Sequence, residues 1–363
     1  MTSLSAGPQK ETRKEDFLWV DLIRVIAVGC VVMIHVAADV ITEWHAIPKI
    51  SWWTANLYDS LVRGAVPVLI MLSGALLLPK AESILDFFRK RFDKVLIPFL
   101  AWSLFYLLWR KHFYEPGLGP AEMLRRFASD KVYFHLWFLY TLTGLYLITP
   151  VLRIWVARAS EKSLLCFLAL CFTVSFCLPF AGTLTGVLGG PEFHFHVPLG
   201  SWLGFTGYFV LGHFLRKYVP EKAVPAARIF WLVSLLACLF GTGWVCRHTG
   251  SFSTLFYDNM APNVAVYAAS FFILMKHASG VFEKWIVGGG RQATVLVAKA
   301  SFGIYLIHPM FIDILNHGRW GFVLRSSTPP PALVIPFVAA VVYLLSLTAV
   351  LLIQKIPFLR RTV

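Results

Sequence analysis

The feature that most constrains this chain is its first hydrophobic stretch, residues 17–40, which is long enough to span a bilayer yet carries ionisable side chains. These side chains are Asp21, Arg24, His35 and Asp39. Because burying such groups in a membrane is costly, they indicate function unless a partner or a water-filled cavity explains them. Arg24 and His35 are eleven residues apart, three helical turns plus about 20°, so they share one helix face at a separation of roughly 16 Å.

Each member of this pair has a carboxylate nearby on its own helix face. Asp21 precedes Arg24 by three residues, and Asp39 follows His35 by four. The alternative is a signal anchor whose charged residues reach the two membrane surfaces. That alternative accounts for Asp21 and Arg24 but leaves His35 unexplained, so the sequence favours a functional pair.

Composition excludes the soluble globular class, because 58% of the residues are hydrophobic and 14% are charged. The net charge of +14 does not indicate a nucleic-acid partner, since the basic residues cluster between apolar runs, as in cytoplasmic loops. The six cysteines lie in or beside apolar runs without a CxxC pair, so neither a disulfide framework nor a metal site is expected.

The chain is predicted to be an all-α, polytopic membrane helix bundle of about ten transmembrane helices. One transmembrane domain, residues 17–354, lies between an N-terminal tail, 1–16, and a C-terminal tail, 355–363. A short amphipathic helix is expected at 123–127. The predicted spans are 17–40, 60–78, 95–109, 135–152, 163–181, 199–215, 230–246, 262–275, 294–315 and 332–354.

Loop charges predict the orientation. The two tails and the even-numbered loops hold 21 of the 33 Lys and Arg residues, and the odd-numbered loops hold 9. This bias places both termini in the cytoplasm. Arg24 then lies toward the cytoplasmic side and His35 toward the opposite face, with His308 of the ninth span at about the depth of His35.

Further polar residues are candidates for substrate contact. Arg63 lies in the second span, where Ser73 and Gly74 allow close helix approach and leave room for a ligand, although packing alone explains such a pair. The fourth span opens with FHLWFLY, in which His135 and Trp137 also fit an interfacial aromatic belt.

The ninth span contains SFGIYLIHP, where Tyr305 and His308 share a helix face. Pro309 cannot donate to the carbonyl of Tyr305, which is left free. Either a site or a packed proline kink explains this pattern. The outer loop holds Glu192, His194 and His196, but this spacing matches no helical zinc motif, so no metal is expected.

A basic stretch, FFRKRFDKVLIP, lies between the second and third predicted spans. Two interpretations remain open. It can anchor the chain against anionic lipid, or it can hold the phosphates of a soluble cofactor through charge-assisted hydrogen bonds. Its basic residues are Arg89, Lys90, Arg91 and Lys94.

Together these stretches resemble the acyltransferase-3 family of integral membrane O-acyltransferases. The matching elements are DLIR followed by His35, VPVLIMLSG, RKRFDKVLIP, FHLWFLY, GYFVLGH and SFGIYLIHP. FHLWFLY and IYLIHP look closest to the branch that O-acetylates enterobacterial common antigen. The resemblance implies a multi-pass protein of the bacterial inner membrane that uses an acyl-CoA donor, usually acetyl-CoA. It also implies a glycan or lipid-linked saccharide as acceptor, with Arg24 and His35 as the essential pair.

A mechanism follows as a hypothesis. The CoA phosphates meet Arg24 and the basic stretch, and the pantetheine arm spans the distance to mid-membrane. His35, held by Asp39, removes the proton from the sugar hydroxyl as it attacks the thioester. An acyl-His35 intermediate is the open variant. Arg63, Tyr305 or His308 stabilises the oxyanion. Substrate contacts are assigned to Arg63, Ser73, His135, Trp137 and Tyr305.

The rival function is a transporter or flippase of lipid-linked sugars, which would line its path with the same buried charges. Such proteins carry paired half-helices or internal repeats, and neither is evident in this sequence. A passive scaffold accounts for the spans but not for Arg24, His35 and His308.

Overall fold

The computed structural model describes residues 18–191 and 200–363, and this part of the chain is helical throughout its regular structure. The loop residues Glu192, His194 and His196, at which no metal is expected, therefore lie outside the described residues. The α-helices of the described part are α1 (Leu18–Ile41), α2 (Lys49–Val62), α3 (Ala65–Leu77), α4 (Ile84–Arg91), α5 (Ile97–Phe113), α6 (Pro120–Ala128), α7 (Trp137–Arg158), α8 (Glu161–Cys171), α9 (Leu178–Val187), α10 (Gly200–Tyr218), α11 (Val224–Thr249), α12 (Pro262–His277), α13 (Ser279–Trp285), α14 (Gly289–Asn316) and α15 (Pro331–Gln354).

Several of these helices join into longer membrane spans. The pair α2 and α3 forms one span of 29 residues, Lys49–Leu77. A π-helical segment, Phe92–Leu96, joins α4 to α5, and a second one, Phe172–Cys177, joins α8 to α9. Among the described helices, eight spans are long and apolar enough to cross a membrane, and the pair α12 and α13, bent by 53°, makes a ninth. The predicted multi-pass helical architecture is confirmed.

The remaining predicted span, 199–215, corresponds to α10, which is less apolar than the others. Four glycines, His213 and two basic residues in its last turn lower its hydropathy. More than half of its residues are buried against other helices, so it presents little surface to lipid. Hydropathy is a weak signal for such a central helix, because hydropathy reports contact with lipid rather than helix formation.

The third span differs from its prediction. We expected a span at 95–109 after a basic loop, but the helix runs from Ile84 to Phe113 and includes the basic stretch. Ser83 caps its start by accepting a hydrogen bond from the backbone N–H of Asp86 at 3.1 Å. Arg and Lys are good helix formers, so a cluster of them ends an apolar run without ending the helix.

Close helix approach at the Ser-Gly pair is confirmed. Gly74 of α3 faces the carbonyl of Phe209, and Gly212 of α10 faces the carbonyl of Met71, at distances that no side chain would allow. The amphipathic helix expected at 123–127 is also present, as α6. Glycine is required at the α3–α10 contact because the two backbones touch there.

Helix α1 lies in the middle of the bundle, packed against α2, α3, α14 and α15. Arg24 of α1 and Lys299 of α14 line one cavity, while His35 and His308, further along the same two helices, stack on each other. The two helices therefore run side by side in the same direction. Which end of the bundle faces the cytoplasm stays a prediction.

Candidate functional site

Three histidine side chains meet inside the bundle. The ring centroids of His35 and His308 are 5.3 Å apart with an interplanar angle of 24°, and those of His308 and His135 are 5.6 Å apart. His308 and His135 are fully buried, whereas His35 is only partly buried. We call these three residues the histidine cluster. The sequence had proposed each of them separately, and the fold brings them together.

The hydrogen bonds of His308 define its tautomer. Its Nδ1 lies 2.7 Å from the carbonyl oxygen of Tyr305 and 3.3 Å from that of Ile304. Since a carbonyl only accepts, Nδ1 carries the proton, and Nε2 of the neutral ring has a free lone pair. Nε2 is buried and has no hydrogen-bond partner among the described residues. A buried acceptor without a partner among these residues is unfavourable unless a ligand or water supplies the missing hydrogen bond.

The carbonyl that Pro309 frees is thus used by His308 itself. This explains why the SFGIYLIHP pattern combines a histidine with a following proline. The Tyr305 hydroxyl donates to the backbone carbonyl of His135, in the turn before α7. Tyr305 therefore fixes His135 against α14, and its hydroxyl hydrogen is already in use. Stabilisation of an oxyanion by Tyr305 requires this bond to rearrange.

A cavity of about 780 Å³ opens at the end of the bundle that carries Arg24. Six described basic residues line it, and Asp93 is the only acidic side chain among its described lining residues. The basic residues are Arg24, Arg91, Lys94, Lys299, Arg360 and Arg361. We call this space the cationic cavity. The clustering of six like charges predicts an anionic ligand, since like charges held together repel one another unless a counter-charge binds.

The cationic cavity extends toward the histidine cluster. Along α1 its wall runs from Arg24 to Val28, and along α14 it runs from Lys299 to Tyr305. Tyr305 precedes His308 by three residues, and their ring centroids are 5.9 Å apart. The cavity therefore ends one helical turn from His308. Arg24 keeps an ion pair with Asp21 at 3.1 Å, and its side chain is 37% exposed.

The basic stretch divides between two environments. Arg91 and Lys94 line the cationic cavity, and the π-helical segment Phe92–Leu96 supplies part of its wall. Such segments are frequent at functional sites. Arg89 and Lys90 do not line it, and Lys90 instead pairs with Glu82 at 2.8 Å. The prediction that all four basic residues face one ligand stays a prediction; only Arg91 and Lys94 line the cavity, because residues adjacent on a helix point in different directions.

Sequence reasoning missed Lys299, Arg360 and Arg361. A lone lysine inside the ninth predicted span was a usable signal for Lys299, by the same cost argument that singled out Arg24. The two arginines had been assigned to a tail. In the structure the tail folds back, and the indole N–H of Trp102 donates to the carbonyl of Thr362 at 2.8 Å. That contact brings both arginines to the cavity, and nothing in the local sequence predicts it.

Two predicted site residues, Asp39 and Arg63, are bonded to partners outside the histidine cluster. Asp39 accepts a hydrogen bond from the side-chain amide of Asn316, so the structure gives it a partner on α14 instead of His35. Arg63 forms an ion pair with Asp59, and its guanidinium lies 4.3 Å from the centroid of the Tyr257 ring. Asp39 therefore joins α1 to α14, and Arg63 joins the end of α2 to the loop before α12. A direct role in chemistry requires either side chain to leave these partners.

The other predicted substrate contacts differ in position. Ser73 lines the cationic cavity, and its hydroxyl donates to the carbonyl of Leu69 at 3.0 Å. Trp137 packs against Phe205 with ring centroids 5.5 Å apart. Within residues 18–191 and 200–363, no three His, Cys, Asp or Glu side chains are arranged to hold a metal ion.

Residues 17–351 match the family model described as an acyltransferase domain. Comparison with curated proteins and with solved structures finds no match. The matched range includes the histidine cluster and four of the six basic residues of the cationic cavity, and it ends before Arg360 and Arg361.

Proposed function

The chain belongs to the acyltransferase 3 family, and from that premise we propose that it transfers an acetyl group from acetyl-CoA to a hydroxyl of a glycan. The acceptor in this proposal is a cell-surface polysaccharide or a lipid-linked saccharide, as in the branch that modifies enterobacterial common antigen. The observation that carries the proposal is the cationic cavity, which reaches to within one helical turn of the histidine cluster.

The charge of the cationic cavity matches the phosphates of the proposed donor, acetyl-CoA. Acetyl-CoA carries several phosphate oxygens at one end and a thioester at the other, joined by a flexible arm. Guanidinium and ammonium groups bind phosphates through short charge-assisted hydrogen bonds, which favours the cavity as their site. The arm then follows α1 and α14 inward, over a distance on the scale of the roughly 16 Å between Arg24 and His35.

The histidine cluster suits the chemistry. In the proposed step the acceptor oxygen attacks the thioester carbonyl carbon, and His35 takes the hydroxyl proton as general base. The carbon–sulfur bond breaks as the new ester forms, and the leaving thiolate takes that proton from His35. His35 has this role because it is the partly accessible member of the cluster. His308, stacked on it, offers Nε2 as a second acceptor for the hydroxyl.

We propose that Asp39 acts on His35 indirectly, whereas the sequence predicted a direct contact. Its bond to Asn316 ties α1 to α14 at a point four residues beyond His35 on α1 and eight residues beyond His308 on α14. Through that tie Asp39 positions His35 against His308 without touching either ring. The transporter alternative gains no support from this arrangement, since an acyltransferase domain covers the bundle.

The predicted location follows from the donor. Acetyl-CoA is a cytoplasmic metabolite, so the cationic cavity must open to the cytoplasm, in agreement with the loop-charge prediction that both termini lie there. We place the protein in the bacterial cytoplasmic membrane. No metal is required by this mechanism.

The test is acetyl transfer by the purified protein from radiolabelled acetyl-CoA to glycan-lipid extracts. His35→Ala is expected to lower the rate by a factor of at least about 100, the range for loss of a general base. His112→Ala is the matched control, because His112 is exposed and lies outside the cluster. Transfer by His35→Ala at a rate close to that of the parent would remove His35 from this role.

A further inference from the structure

A second cavity lies beside the cationic cavity, at the same end of the bundle. It has a volume of about 570 Å³ and is formed by the turn between α3 and α4, the last turns of α7 and the end of α10. Glu82 and Arg91, 3.9 Å apart, connect the two spaces, since Glu82 lines this one and Arg91 lines the cationic cavity. The proposed acyl transfer uses no residue of the second cavity.

His213 of α10 lines this second cavity and has no hydrogen-bond partner in the part of the chain that the structure describes. The residue is buried, with only 5% of its surface exposed. Neither of its ring nitrogens forms a hydrogen bond among the described residues. An imidazole can donate and accept, so burying both nitrogens unpaired is unfavourable unless a ligand or water supplies the missing bonds.

The charges around His213 favour an anion. Lys80, Arg153, Lys217 and Glu82 line the cavity with it. The carboxylate of Glu82 already bonds to Lys90 and Arg153, each at 2.8 Å. Lys80 and Lys217 have no ion pair among the described residues, so the cavity keeps two uncompensated ammonium groups. Burial lowers the pKa of Lys80, and the positive charge of nearby Arg91 lowers it further. A bound anion would stabilise the charged ammonium group.

The surroundings favour a lipid over a soluble anion. Apolar side chains also line the cavity, among them Ile84 and Ile154, which are 58% and 61% exposed on the outside of the bundle. Val151 and Leu147 continue from Ile154 as one exposed stripe along α7. A lipid whose phosphate sits in the cavity would lay its acyl chains along this stripe. Basic pockets between membrane helices are known to take anionic headgroups in this way.

We propose that this second cavity binds the headgroup phosphate of an anionic phospholipid, held by Lys80, Lys217 and His213, with the acyl chains against α7. This site is separate from the donor site and does not depend on the acyl transfer proposed above.

Native mass spectrometry of the full chain in detergent tests the site. Dioleoyl phosphatidylglycerol is expected to remain bound at concentrations where dioleoyl phosphatidylcholine does not. The double variant Lys80→Gln, Lys217→Gln should lower the bound phosphatidylglycerol at least fivefold. The control double variant, Lys162→Gln, Lys222→Gln, removes two exposed lysines that do not line the cavity and should change binding less than twofold. Equal losses in the two double variants would overturn the proposal.

A measurement on the parent chain avoids any effect of substitution on folding. Acetylation of lysines by an N-hydroxysuccinimide ester is read peptide by peptide. Phosphatidylglycerol should protect Lys80 and Lys217 at least threefold and leave Lys162 unchanged. Absence of protection would refute the site. Equal protection by glycerol 3-phosphate at the same concentration would show a site for free phosphate groups and contradict a lipid site.

Discussion

At the scale of single residues, the two ring nitrogens of His308 have different roles, one structural and one chemical. Nδ1 holds the ring to the carbonyl of Tyr305 at 2.7 Å, while Nε2 is buried and has no partner within residues 18–191 and 200–363. The first atom maintains the helix around Pro309. The second is the one available to a substrate. A substitution that preserves one atom and removes the other therefore reports on the two roles independently.

His308→Asn is that substitution, because the asparagine amide N–H can replace Nδ1–H while nothing replaces Nε2. We expect acetyl transfer to fall about 10-fold, in the range for loss of one hydrogen bond to the acceptor hydroxyl. The midpoint of thermal unfolding should fall only slightly. His308→Gln, whose amide reaches the Nε2 position, is the comparison. If the asparagine variant transfers acetyl groups within threefold of the parent, Nε2 has no part in the reaction.

The basic stretch offers a second test at this scale. Arg91 lines the cationic cavity and Arg89, two residues earlier, does not. Loss of a charge-assisted hydrogen bond costs about 1.5–3 kcal/mol, so Arg91→Gln should raise the KM for acetyl-CoA by a factor of about 10 to 100. Arg89→Gln, matched in charge and helix, should leave KM within twofold. Equal effects of the two substitutions would show that the cavity does not bind the donor.

At the scale of elements, the turn between α3 and α4 is held by one carboxylate. Glu82 bonds to Lys90 of α4 and to Arg153 of α7. Hydrogen bonds from Lys90 and Arg153 lower the pKa of Glu82 to about 2. The charged form is therefore the one that the fold stabilises, and Glu82 joins the loop to two separate helices.

A lowered carboxylate pKa has a defined sign in stability. The contribution of Glu82 is present above its ordinary pKa of about 4.5 and is lost as pH falls toward about 2. The thermal midpoint of the parent should therefore fall as pH is lowered from 5 to 3, and that of Glu82→Gln should fall less. Differential scanning fluorimetry in detergent measures both. Parallel slopes for the two proteins would contradict the assignment.

The contact of α3 with α10 depends on glycine. A Cβ on Gly212 would overlap the carbonyl of Met71, whereas a Cβ on Gly280 of α13 would meet nothing within 4 Å. Gly212→Ala should cost about 1–3 kcal/mol of stability through overpacking. Gly280→Ala is the control and should be neutral or stabilising by up to about 1 kcal/mol, since alanine favours a helix. Comparable unfolding midpoints for the two variants would show that the helices do not touch as described.

At the scale of the whole molecule, the sequence predicted the helical bundle and the residues at its centre. Buried ionisable groups are costly in lipid, so Arg24, His35 and His308 stand out without any structure. Motif likeness identified the family. The fold and the family could be predicted because they depend on composition and local spacing, which are visible along the chain, while the roles of these three residues stay predictions.

What could not be predicted depends on packing between distant segments. Lys90 does not line the cationic cavity and pairs with Glu82 instead, and Asp39 bonds to Asn316 on another helix. Arg361 reaches the cavity only because Trp102 holds the end of the chain. Helix α10 is mostly buried against other helices, and its sequence includes glycine, histidine and basic residues that lower its hydropathy. Each outcome is fixed by a three-dimensional partner that no window of sequence contains.

The proposed acetyl transfer depends on one path from the cationic cavity to the histidine cluster. Its most direct test measures, on the same purified samples, the Kd for acetyl-CoA and the rate of a single turnover onto glycan acceptor. Arg24→Gln together with Lys299→Gln is predicted to weaken acetyl-CoA binding at least tenfold, and His35→Ala to leave binding within twofold while the single-turnover rate falls at least about 100-fold. Unchanged binding in the first variant, or undiminished transfer in the second, would contradict it.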